Sequence, residues 1–163
     1  MSLSFEYTQL NTRRTGQFSD LLGERGALVE FYTTLCSRCP AALEKLDNSS
    51  AKLLQAGVTP VAVNLDDIIG AEKILENISE FFSDRVRWIA VSQETRTRLK
   101  AELGMRSVPF AVYVGSNGRI VAMGQPDTTI GIALDATRPR MWSDIQDDES
   151  EDECVDGACA MKR

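Results

Sequence analysis

The residues best suited to chemistry in this chain are Cys36-Ser37-Arg38-Cys39-Pro40. Two thiols separated by two residues stand between an apolar run, residues 27–32, and a stretch of helical character, residues 41–57. A strand giving way to a helix there puts the first Cys at a helix N-terminus, where partial positive charge and free N–H groups favour a thiolate, and the second within its reach. Thiol–disulfide exchange requires this arrangement, although the pair taken alone also fits half of a zinc site. The 163 residues include no His, which removes the commonest general base, the commonest metal ligand and any Cys-His dyad. Cys, carboxylates and the backbone are left to carry the chemistry.

The elements that must position the pair follow from periodicity. Residues 27–32 are apolar except for Glu30 and read as a strand buried on both faces. Leu43, Leu46, Leu53 and Leu54 recur at helical spacing in residues 41–57, which Gly57 closes. A second strand over 58–65, a helix over 69–82, a third strand over 86–91 and a helix over 93–103 follow. Residues 109–114 and 119–124 flank Asn117-Gly118, a strong hairpin signal, and a short helix over 129–136, capped by Asp127 or Thr128, precedes Arg138-Pro139-Arg140. Upstream, residues 5–10 suggest a short edge strand and 15–22 a helix. Alternating strands and helices that end in a hairpin predict an α/β protein with a mixed central sheet and helices on both faces.

Composition bounds the class. With 43% hydrophobic and 7% aromatic residues the chain has the make-up of a soluble globular protein with one ordinary core. Eight of the 24 acidic residues and two of the 18 basic ones lie from Asp144 onward, which leaves 16 of each sign before it. The body is therefore near neutral, and no basic nucleic-acid footprint is expected. Residues 143–153 are too poor in apolar side chains to pack, so the expected division is a domain over 1–142 and a disordered acidic tail over 143–163. No apolar run suits a signal peptide or a membrane span, which points to the cytosol and away from membranes. In the cytosol, cysteines are more often catalytic, sensing or metal-binding than structural.

Over residues 5–136 the chain resembles the thioredoxin superfamily. The resemblance is carried by the Cys pair after a buried strand, by Glu30 six positions before Cys36, by Gly104-Met105-Arg106-Ser107-Val108-Pro109 leading into the hairpin and by Gly124 ending it. The interval from Cys39 to Pro109 exceeds that of a minimal thioredoxin by about thirty residues, an inserted helix and strand that look most like the tryparedoxin and nucleoredoxin branch. Bacterial membrane-tethered thioredoxin-like proteins share this insertion. The resemblance implies a thioredoxin fold with a cis peptide before Pro109, lying against the Cys pair. It also implies a protein-disulfide reductase that needs no cofactor and no metal.

Roles follow from the motif. Cys36 is the expected nucleophile, with Arg38 lowering its pKa, and Cys39 the resolving thiol. Glu30, buried beneath the pair, is expected to take the Cys39 proton. The peptide between Val108 and Pro109 is expected to bind substrate backbone, with Leu35 at the rim where close relatives carry Trp. The expected partners are protein disulfides and a thiol or reductase as electron donor, with the protein acting as a monomer. Ser37-Arg38 between the cysteines leaves unread a potential that in this family runs from about −270 to about −120 mV.

The second pair, Cys154 and Cys159, has four residues between its members and acidic neighbours on its N-terminal side. It reads as incidental tail cysteines or as an auxiliary redox pair; a four-Cys zinc site would need the tail to fold over the first pair. Trp88 and Trp142 read as packing residues. The contrasting reading of the whole chain is a non-catalytic adaptor of the same fold whose cysteines sense oxidation.

Overall fold

The computed structural model describes residues 1–137. Seven strands form one mixed sheet in the order β2-β1-β5-β4-β3-β6-β7. The strands are β1 (Glu6–Gln9), β2 (Thr15–Gln17), β3 (Ala27–Tyr32), β4 (Thr59–Asn64), β5 (Arg87–Ala90), β6 (Phe110–Val114) and β7 (Ile120–Gly124). Four helices accompany them: α1 (Cys39–Gln55), α2 (Ile68–Ile78), α3 (Gln93–Glu102) and α4 (Pro126–Thr137). β3, β4 and β5 run parallel, and β1, β2, β6 and β7 are attached antiparallel to their neighbours.

β3 lies inside the sheet between β4 and β6, every residue of it buried, and its alternation divides the core. Ala27, Val29 and Phe31 face a layer that includes Leu99 of α3, Leu103, Phe5 and Phe18. Leu28 and Tyr32 face the other layer, with Cys39, Leu43, Leu46 and Leu53 of α1 and Ile130 and Ala133 of α4. Period-two alternation puts Glu30 on the α1 and α4 side. Gly26 can open β3 only as glycine, since its φ is +104° and a Cβ there would collide with the Val114 carbonyl oxygen.

The inserted α2 and β5 are built into the sheet. β5 lies between β4 and β1, pairing Val63 with Ile89 on one side and Thr8 with Ala90 on the other. Trp88 packs edge-on to Tyr32 and Phe82, with ring centroids 6.0 and 5.6 Å away. Asp47 of α1 accepts hydrogen bonds from the Ser83 N–H at 3.0 Å and hydroxyl at 2.6 Å, which ties the segment before β5 to the helix that carries Cys39.

Several boundaries differ from the sequence reading. The helix expected over 15–22 is a three-residue strand followed by a 3-10 turn at Phe18–Leu21. Gly16 there lies so close to Tyr7 that a Cβ would come 2.7 Å from its hydroxyl, and Phe18 and Leu21, three apart, are both buried by the 3-10 turn. β1 is consequently not an edge strand, since β2 lies outside it. α1 begins at Cys39 and α4 at Pro126, both earlier than expected, because a proline costs no hydrogen bond in a helix's first turn. α2 ends at Ile78, short of the expected 82. Trp142, Cys154, Cys159 and the expected tail over 143–163 lie outside the described residues. Within those residues, no helix is long and apolar enough to cross a membrane.

Candidate active site

The chain leaves the sheet after Tyr32 through a loop anchored on its neighbour. The Thr34 N–H donates to Asp66 Oδ2 at 2.6 Å, and the Thr34 hydroxyl donates to the same oxygen. Asp66 follows β4 and donates its own N–H to Asn64 Oδ1 at 2.6 Å, so the end of one parallel strand fixes the exit from the next. Leu35 then projects into solvent, 95% exposed.

Cys36 is half-buried and Cys39 is 1% exposed. The two are joined as a disulfide with Cα atoms 5.4 Å apart, an ordinary separation for such a bond. Arg38 occupies the N-cap position and Pro40 the first turn of α1, so Cys39 belongs to the helix and Cys36 precedes it. Cys36 Sγ lies 3.5 Å from the Val108 carbonyl oxygen, and the Val108–Pro109 peptide is cis. Two segments 72 residues apart thus meet at one sulfur.

Glu30 is 0% exposed, and neither carboxyl oxygen has a hydrogen-bond partner among the described residues. Its register partners on the neighbouring strands are Ala62 and Ala111, too small to supply one. Desolvation first, and the charge of Asp127 second, push its pKa up to about 8, so the group is mostly a neutral acid at pH 7. Asp127, in the first turn of α4, pairs with Lys45 of α1 at 2.7 Å. A cavity of about 190 Å³ opens between the start of α1, Pro109 and the start of α4, lined by Arg38, Ala42, Lys45, Gln125 and Asp127.

The residues picked from sequence therefore gather in one region. Cys36, Cys39, Val108 and Pro109 are adjacent, Leu35 and Arg38 are exposed beside them, and Glu30 lies on the Cys39 side of the sheet. Sequence reasoning missed three: Asp66, Lys45 and Asp127, the last expected only as a helix cap. Each acts across more than thirty residues of chain, and no local pattern announces that. No group of three or more His, Cys, Asp or Glu side chains is placed to hold a metal among the described residues.

No protein-family model matches the chain. A curated relative, the thiol-disulfide oxidoreductase ResA of Oceanobacillus iheyensis, is 27% identical over 116 residues, which are 71% of this chain and 57% of that protein. The match thus spans little more than half of the relative's length. Among solved structures, the thioredoxin domain of a thiol-disulfide oxidoreductase from Bacteroides vulgatus superposes with a TM-score of 0.69 at 16% identity, covering 84% of this chain and 95% of that one. A thiol:disulfide interchange protein from Bacteroides sp. gives 0.69 at 16%, covering 87% and 92%. Yeast Sco1 with copper bound gives 0.64 at 13%, covering 88% and 96%. At such identities a structural likeness carries the fold alone.

The fold is the thioredoxin fold. Likeness to the curated thiol-disulfide oxidoreductase, together with the Cys36–Cys39 pair, supports a redox function. These likenesses do not single out the tryparedoxin and nucleoredoxin branch.

Proposed function

We propose that this protein reduces protein disulfides by a dithiol cycle. The observation that carries the reading is the asymmetry of the pair, with Cys36 half-buried beside the Val108 carbonyl and Cys39 buried at the first position of α1. The Cys36 thiolate attacks one sulfur of a substrate disulfide, and the other substrate sulfur leaves as a thiolate. Cys39 then loses its proton and attacks Cys36 Sγ, the first substrate sulfur leaves, and the Cys36–Cys39 disulfide closes. An external thiol or reductase restores the dithiol.

Glu30 serves both directions. Ionised, it accepts the Cys39 proton; neutral, as its raised pKa of about 8 favours in the oxidised state, it returns that proton when Cys39 leaves during re-reduction. The Val108–Pro109 backbone lies where an extended substrate strand can pair, and exposed Leu35 and Arg38 form the rim. In this reading the domain over 1–142 works as a cytosolic monomer.

Insulin-disulfide reduction by the dithiothreitol-reduced protein tests the proposal. Cys36→Ser is expected to lose about 10²-fold or more in rate, and Cys39→Ser to accumulate mixed disulfides. Equal inactivity of wild type and Cys36→Ser would leave the chain as a redox-sensing adaptor. The pair's reduction potential tests direction and compartment: a value near that of thioredoxin, about −270 mV, fits a cytosolic reductant, whereas one near −120 mV overturns that part.

A further inference from the structure

The rim of the reacting sulfur carries an inference about which disulfides it meets. Two segments come together at Cys36 Sγ, the turn into α1 and the run into Pro109, and each brings an arginine. Arg38 stands two residues after Cys36, and Arg106 two residues before Val108, whose carbonyl oxygen lies 3.5 Å from the sulfur. Both are exposed, and neither guanidinium makes a hydrogen bond or ion pair among the described residues. Two residues of extended chain span at most about 7 Å, so both side chains are rooted beside the sulfur and the carbonyl it faces. Arg38 also lines the cavity at Pro109.

Other charges at this rim are already engaged. Lys45 and Asp127 offset one another at 2.7 Å, and half-buried Asp66 turns its carboxylate to the Thr34 N–H and hydroxyl. Residues 1–143 hold equal numbers of each sign, so a general excess of positive charge does not account for two unpaired arginines here. A planar guanidinium is the group best matched to a carboxylate, which it can hold through two parallel hydrogen bonds. Carboxylates beside a disulfide hinder ordinary thiols, because they repel the attacking thiolate and raise the pKa of the sulfur that must leave. Cations placed around the attacking sulfur offset both effects.

We propose that Arg38 and Arg106 select protein disulfides whose reacting cysteine has acidic residues within about two positions of it along an extended strand. This rests on the dithiol reading above and names the substrate class of that same site. The acidic strand lies along the Val108–Pro109 backbone, and its carboxylates pair with the two guanidiniums. Cys36 Sγ bonds to the flanked sulfur, the other substrate sulfur leaves as a thiolate, and Cys39 completes the exchange.

The test uses extended peptides identical except that the residues two before and two after a single Cys are both Glu, both Gln or both Lys. Each is joined through that Cys to 2-mercaptoethanol, and its reduction by the dithiothreitol-reduced, desalted full chain is followed in a single turnover. Dividing each rate by that of dithiothreitol alone removes the intrinsic reactivity of the peptide. Normalised rates are expected to fall from the Glu to the Gln to the Lys peptide, by about tenfold overall at low salt and by less than about twofold in about 1 M NaCl. Arg106→Gln is expected to shrink the Glu-to-Gln ratio by about twofold or more, and Arg106→Glu to invert the order, with the Gln peptide as denominator cancelling any change in Cys36 itself. Equal normalised rates for all the peptides, or a Glu-to-Gln ratio that survives both Arg106→Gln and Arg38→Gln, overturns the selection and leaves the dithiol reading standing. Failure of every peptide to react, the Gln peptide included, overturns the dithiol reading and the selection with it.

Discussion

Glu30 holds its proton to about pH 8 in the folded chain, against about 4.5 for a solvated carboxyl. Between those values the folded state binds more protons than the unfolded one, so stability falls as pH rises through the window and levels off above it. Glu30→Gln removes the titration. Urea unfolding at pH 5 and pH 8 should show wild type losing on the order of a few kcal/mol across that interval relative to the variant. The same substitution should flatten the fall in the rate of Cys36–Cys39 reduction as pH passes about 8, when normalised to a small model disulfide, because the acid that protonates departing Cys39 is gone. A carboxyl kept beside a disulfide at a cost in stability makes sense if its proton is used.

At the scale of elements, the loop before Cys36 and the helix after it are each tied to a later segment, Thr34 to Asp66 and Asp47 to Ser83. Asp47→Ala leaves the part-buried Ser83 N–H and hydroxyl without their acceptor and should cost about 1–3 kcal/mol in chemical unfolding. These ties explain what was legible beforehand. β3, α1 and the β6–β7 hairpin announce themselves through long apolar runs, helical leucine spacing and Asn117-Gly118, and the Cys motif with Pro109 locates the site. Glu30 was readable too, as the one charge in an apolar strand. β2 was not, because three residues carry no period and its identity comes from pairing with β1 across positive-φ residues Asn11 and Arg13. Asp66, Asp127 and Lys45 were invisible for the same reason: their partners are set by the finished sheet.

For the molecule as a whole, the core clusters of the described residues run from Leu3 to Ala133 and sit on both faces of the sheet. Truncation after Trp142 should leave the thermal midpoint within about 2 °C of the full chain, measured by circular dichroism. The place of β5 has a further consequence for the order of assembly. Residues 6–9 are made before residues 87–90, yet among the described residues their strand partners are the three residues of β2 and β5, at 87–90. A two-stranded hairpin has little stability by itself. During synthesis the segment that carries β1, with buried Leu3, Phe5 and Leu10, must therefore wait exposed until β5 has emerged, and this high-contact-order closure makes β1 a late arrival in folding although it is made before the strand it pairs with.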